Sequence, residues 1–311
     1  MKIVFFGTSD FAVPCLKELQ IFFSIEAVVT APDKRGGRGR RKLIESPVKR
    51  FSIDHQLAIL QPSKLKSPEF IDKLKSIDAD LFVVVAFRML PEIVWSMPKL
   101  GTVNLHASIL PKFRGAAPIN HAIIQGEQYT GLSIFKIDHQ IDTGDLLCTK
   151  KIQIGTQETF GELHDRMALT GGKFLVECLT KFKLGETTPV KQDHSKASHA
   201  PKLTKDFCKL DFNLPALLVL NKIRGLSPYP GAFTILFGLE FKIYKAEINT
   251  NKELSKKSLP GKIATDGKSW LAISSSNGWI DCQEVQLQGK KRMEIKDFLN
   301  GFGKNIPEFL G

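Results

Sequence analysis

The sequence predicts an α/β chain: a doubly wound, Rossmann-like domain followed by a small all-β, OB-like barrel domain. Three observations carry that prediction. Short apolar runs alternate with helix-like segments from Lys2 to Gly185. The run "LFVVVAF" at residues 81–87 is apolar throughout, as expected of a central parallel strand covered on both faces. Beyond a polar stretch that ends near Leu203, β-rich segments recur between turn residues, the pattern of a small antiparallel barrel.

In chain order, "KIVFFG" reads as the first strand, and "SDFAVPCLKELQIF" as a helix with Ser9 or Asp10 as its cap. The alternation continues through "EAVVTAP", "SPVKRFSIDHQ", "LAILQP", "SPEFIDKLKSID", "DLFVVVAF", "PEIVWSM", "GTVNLHA", "APINHAIIQG", "GLSIFKI" and "LLCTKKIQI". "TFGELHDRMALTGGKFLVECLTKFKLG" reads as a long closing helix interrupted at its glycines. Residues 1–184 form the first predicted domain, and the polar, aperiodic residues 185–203 a linker. Residues 204–311 form the second, opening with the amphipathic helix "DFNLPALLVLNKIRGL" and the rigid turn "SPYPGA". Gly238, Asp266-Gly267, Asn277-Gly278 and Gly289-Lys290 mark its later turns.

Composition narrows the function classes. Of 311 residues, 42% are hydrophobic and 24% charged, ordinary for a globular chain. No apolar run is long enough to span a membrane, and the apolar run in "MKIVFFGTSDF" is too short for a signal peptide. The five cysteines are scattered and form no CxxC pair, which predicts reduced thiols in a cytoplasm and no metal site. The formal charge of +12 divides evenly, +6 in residues 1–201 and +6 in 202–311, and favours a polyanionic partner such as nucleic acid. Of a G-x-G-x-x-G fingerprint "GTSDFA" keeps only Gly7, and "RGGRGRRK" lacks the G-K-[ST] ending of a P-loop, so neither nucleotide motif is present.

Two short elements could carry chemistry. On an extended strand "TVNLHA", Asn104 and His106 project to the same side near the C-terminal end, where open α/β sheets bind ligands. An amide beside an imidazole can bind the oxygen of a carbonyl becoming tetrahedral, and the same pair also fits a core Asn and His bonded to backbone. In "DHQIDTGDLL", Asp138, Asp142 and Asp145 crowd a turn without calcium-loop spacing. That turn is either rich in Asx hydrogen bonds or brings a carboxylate to His106.

"HASILPKFRGAAP", with "DTGDLL" placing Asp142 36 residues after His106, resembles the folate-dependent formyltransferase family. The likeness runs through "FFGTSDFAVPCLKEL", "TAPDKRGGRGRR", "SPVK" and "VVVAF", and resumes at "KLTKDFCKLDF" and "IRGLSPYPGAF". It covers both predicted domains, as in members that formylate methionine on initiator tRNA. Relatives acting on glycinamide ribonucleotide resemble only the first domain. The resemblance implies 10-formyltetrahydrofolate as co-substrate and no metal. It implies Asn104 and protonated His106 as oxyanion donors, and Asp142 as the partner of His106 in moving the amine proton. Phe87, Arg88, Met89 and Leu90, with Ser108, Ile109, Leu110 and Pro111, would border the folate. A formyltransferase for an amino-sugar nucleotide and a non-catalytic RNA-binding protein on the same fold are the alternatives.

"DKRGGRGRRK" packs Lys34, Arg35, Arg38, Arg40, Arg41 and Lys42 into nine residues with three glycines. Such a loop is either a solvated surface or a grip for phosphate. The family places a tRNA-gripping insertion there, so Arg35, Arg38, Arg40, Arg41 and Lys42 are the tRNA-contact candidates. Lys256-Lys257 and Lys290-Lys291-Arg292 are candidate phosphate contacts of the second domain. Lys112 and Arg114 either position substrate or solvate their loop. His194 and His199 fall in the linker, and His121, His164 and the three tryptophans read as surface or packing residues. The chain is expected to act as a cytoplasmic monomer.

Overall fold

The computed structural model describes the whole chain except residues 37–41, 250–253, 255–257 and 303–304, together with the side chain of Lys42. The first elements are β1 (Lys2–Gly7), α1 (Ala12–Phe22), β2 (Ser24–Val29), β3 (Lys34–Gly36), β4 (Lys42–Ile44) and α2 (Pro47–Asp54). Then come β5 (Ile59–Leu60), α3 (Pro68–Ile77), β6 (Leu81–Val85), α4 (Glu92–Trp95), β7 (Thr102–His106) and β8 (Arg114–Gly115). These are followed by α5 (Pro118–Ile124), β9 (Tyr129–Lys136), β10 (Leu146–Gln153), α6 (Phe160–Lys183) and β11 (His199–Ala200). The last are α7 (Ala216–Leu226), β12 (Ala232–Leu236), β13 (Leu239–Ile248), β14 (Ile263–Thr265), β15 (Leu271–Ser274), β16 (Trp279–Leu287), β17 (Met293–Glu294) and α8 (Ile295–Phe302).

The chain divides into two compact units. One comprises residues 1–115, 130–152 and 164–199, the other 116–129, 153–163 and 200–311. The first holds a seven-stranded sheet in the order β10-β9-β7-β6-β1-β2-β5. Strands β1, β2, β5, β6 and β7 pair in parallel, and β9 runs antiparallel to β7. The residues of β6 are all buried, as its unbroken apolar run requires.

Two features of this unit differ from the sequence expectation. Helix α1 starts at Ala12 without a side-chain cap; Ser9 and Asp10 contribute their main-chain carbonyls to its first turn. Helix α6 runs unbroken through Gly171 and Gly172. A Cβ on Gly171 would lie 2.9 Å from the Leu105 side chain, and one on Gly172 2.7 Å from the Pro14 carbonyl oxygen. The two glycines let α6 press against β7 and α1 instead of breaking it.

Residues 185–199 also have definite structure. Val190 bridges Leu146, Gln192 is buried, and residues 194–196 form one 3₁₀ turn capped by the Asp193 carboxylate. The Ser195 hydroxyl, with Lys196, holds the Asp193 carboxyl down to about 2.

In the second unit, the strands β12-β13-β16-β15-β14 and β17 form an antiparallel half-barrel sheet. Its core gathers Val219, Ile223, Phe241, Ile243, Ile280, Val285 and Phe298. Residues 116–129 belong here because α5 packs on α7. Gly225 meets Ile124 and Asn120 where a Cβ would clash, and the Asn120 amide donates to the Gly225 carbonyl at 2.8 Å. Residues 153–163 join through Arg224, which donates to the carbonyls of Gly155 and Glu158. Among the described residues no helix is long and apolar enough to cross a membrane.

Candidate active site

Asn104 and His106 sit on β7, opposite Phe135 and Ser133 of β9. His106 is buried, and its Nε2 lies 2.8 Å from the Phe113 carbonyl oxygen. A carbonyl only accepts, so Nε2 carries the hydrogen there. Nδ1 faces Oδ2 of Asp142 at 3.7 Å, beyond a direct hydrogen bond. That oxygen accepts the Gly115 N–H at 2.8 Å, with Asp142 itself in the left-handed region at φ 55°. Asn104 is half-buried, and among the described residues no side-chain hydrogen bond ties its amide. A half-buried amide that no protein group ties down is open to bond water or a ligand.

The turn after β7 aims these groups. The Ser108 hydroxyl donates to the Lys112 carbonyl at 2.6 Å, and the Ser133 hydroxyl donates to the Ser108 carbonyl at 2.7 Å. Ser133 also accepts the Leu110 N–H, and the Leu110–Pro111 peptide is cis. The Phe113 N–H donates to the Ser198 hydroxyl at 2.9 Å. This scaffold leaves the Phe113 carbonyl pointing at His106 and the Gly115 N–H at Asp142.

Arg114, left open by the sequence, neither solvates the loop nor lies open to substrate. It is only 7% exposed. Its Nη2 donates to Oε1 of Gln192 at 2.6 Å, and both terminal nitrogens lie 3.2 Å from Nδ1 of His194. Sequence reasoning misses Gln192 altogether. It stands in an aperiodic polar stretch, where nothing in the sequence marks one amide as buried.

The folate candidates occupy two neighbouring loops, because β6 and β7 are adjacent and parallel. Phe87 packs edge-on to Phe6, and Leu90 and Leu110 are buried. Ile109 and Pro111 are half-buried, and Ser108 is buried with its hydroxyl bonded within the turn. Met89 is 69% exposed, and Arg88 is exposed but tied back to the carbonyls of Pro62 and Ser63. The two loops thus combine buried and half-buried apolar side chains with one exposed cation.

Of the tRNA candidates, Arg35 is exposed on β3, and the main chain of Lys42 pairs with Gly36. Arg38, Arg40 and Arg41, like Lys256 and Lys257, lie outside the described residues. Lys49 of α2 holds the base of the hairpin, reaching Asp33 at 2.5 Å before it and Glu45 at 2.8 Å after it. The Lys49 ammonium, with Gln61, keeps the Asp33 carboxyl below the usual carboxylate range. Lys290 and Lys291 are exposed, while Arg292 stacks over Tyr244 at 4.4 Å and pairs with Glu284. His121 is buried and bonded to the Pro201 carbonyl, and burial lowers its pKa.

The formyl transferase family profile matches residues 1–179, and that of the formyl transferase C-terminal domain matches residues 202–303. The chain belongs to the formyl transferase family. This formyl transferase is 42% identical over 309 residues to the methionyl-tRNA formyltransferase of Bacteroides fragilis, covering 97% of this chain and 95% of that protein. It is 44% identical over 320 residues to the one from Porphyromonas gingivalis, covering 100% and 98%. Among solved structures it resembles HypX from Aquifex aeolicus in complex with tetrahydrofolic acid, with a TM-score of 0.67 and 17% identity. That match covers 99% of this formyl transferase and 48% of HypX. WlaRD, a sugar 3N-formyl transferase, gives a TM-score of 0.67 at 20% identity, covering 94% of this chain and 99% of WlaRD. At such identities the likeness is one of fold.

Proposed function

We propose that this chain transfers the formyl group of 10-formyltetrahydrofolate to the α-amine of methionine on initiator tRNA. The product, formylmethionyl-tRNA, serves translation initiation. The observation that carries the reading is the meeting of His106 and Asp142 at the end of the strand that bears Asn104. Likeness over nearly the full chain to proteins named methionyl-tRNA formyltransferase supports the choice of acceptor.

The co-substrate supplies an activated formyl carbon, bordered by residues 87–90 and 108–111. The amine nitrogen forms a bond to that carbon as the bond to N10 breaks; the amine gives up one proton and N10 gains one. During the attack the carbonyl oxygen becomes negative. The Asn104 amide and Nδ1–H of doubly protonated His106 donate to it, since Nε2–H is held by the Phe113 carbonyl. Asp142, oriented by the Gly115 N–H, accepts the amine proton directly or through one water. Arg35, Arg38, Arg40, Arg41 and Lys42 bind the phosphates of the acceptor. No metal takes part, and the enzyme works as a monomer in the cytoplasm.

The test offers purified protein 10-formyltetrahydrofolate together with methionyl initiator tRNA and an amino-sugar nucleotide. Label on the methionine amine is the expected outcome. Label only on the sugar, or formylation of neither, overturns the reading.

A further inference from the structure

The turn that carries Asp142 is held by a residue far away in sequence. The Gln192 amide nitrogen donates to two main-chain carbonyls, that of Asp142 at 3.0 Å and that of Gly144 at 2.8 Å. Gln192 is 6% exposed, and its own oxygen accepts from Arg114. The main chain of Arg114 in turn lies between Phe113, whose carbonyl orients His106, and Gly115, whose N–H orients Asp142. One buried amide therefore ties the segment that aims His106 to the turn that presents Asp142. The tie also steadies Asp142 in the left-handed region, which aspartate adopts more readily than most residues but still at some cost.

We propose that Gln192, gripped by Arg114, is a positioning residue for formyl transfer: it fixes the turn at Asp142 so that the carboxylate stays opposite Nδ1 of His106. It touches no reacting atom and acts through Asp142. The inference rests on the catalytic roles proposed above for Asp142 and His106.

Q192E keeps the side chain's length and its oxygen toward Arg114 but removes both donated hydrogen bonds. Because a displacement of about 1 Å at a reacting group can cost on the order of a hundredfold, kcat should fall about ten- to a hundredfold. The KM values for both substrates should hold, with kcat taken per folded molecule, because unfolding of part of the sample also lowers the apparent kcat at constant KM.

A double-mutant cycle with D142N separates positioning from mere structure, since asparagine also tolerates the left-handed conformation. In the D142N background, Q192E should cost less than about twofold further, because residues that act through one another are not additive. Wild-type kcat in Q192E, or the same cost in both backgrounds, overturns the proposal. If D142N itself turns over normally while formylation of tRNA proceeds, the role of Asp142 falls and the inference falls with it. Should Q192E not fold, Q192M also lacks both donors, carries no charge, and is read in the same cycle.

Discussion

Nδ1 of His106 faces the Asp142 carboxylate at 3.7 Å, and neither side chain is left to find that geometry alone. The Phe113 carbonyl holds the far nitrogen of the imidazole, and the Gly115 N–H holds the near oxygen of the carboxylate. The two groups are thus oriented by residues two apart, where the turn after β7 enters β8. Polar groups fixed in advance need not reorganise when charge develops beside them.

Replacing His106 by alanine should lower kcat by at least about 10²–10³, the usual cost of an oxyanion donor. It also strips a buried carbonyl of its partner, for a stability loss of about 1–3 kcal/mol. Binding of methionyl-tRNA, followed by filter retention, should change little. Near-normal turnover would sink the role given to His106.

Asn104→Leu separates catalysis from stability in the opposite way. The amide gives up no hydrogen bond within the described residues, so Tm should hold or rise slightly. Turnover should still drop by about 10²–10³. A drop in Tm with turnover kept would mark Asn104 as structural.

The Arg38, Arg40 and Arg41 triple-alanine variant should weaken tRNA binding and flatten its salt dependence. For every arginine that no longer neutralises a phosphate, the log–log slope should fall by about 0.7–0.9. An unchanged slope would show that none of the three grips phosphate.

Gly172→Ala should destabilise the fold even though alanine is the better helix former by about 1 kcal/mol. The added Cβ would sit 2.7 Å from the Pro14 carbonyl oxygen, and main chain cannot step aside cheaply. Overpacking of this kind costs about 1–3 kcal/mol, readable as a lower Tm or denaturant midpoint. A Tm equal to or above that of the unaltered protein would show that α1 yields.

Periodicity and motif account for most of what is legible in the sequence. The apolar run at 81–87 announces a strand buried on both faces, and β6 is one. The period of two on "TVNLHA" sets Asn104 and His106 on one strand face without any coordinates. What escapes is carried by aperiodic or glycine-bearing sequence. Gly171 and Gly172 look like helix breaks because local propensity says nothing of a neighbouring helix that needs close approach. Gln192 looks like solvated linker because its partners, Asp142 and Arg114, lie 50 and 78 residues away.

By itself the sequence determined the fold class, the family, and the strand that bears Asn104 and His106, since all three follow from side-chain order along the chain. The tertiary structure decided which imidazole nitrogen faces the carboxylate, what a buried arginine is for, and which segments join the second unit. Those depend on hydrogen bonds between stretches far apart in sequence. Such bonds form only once folding has closed the loops between them.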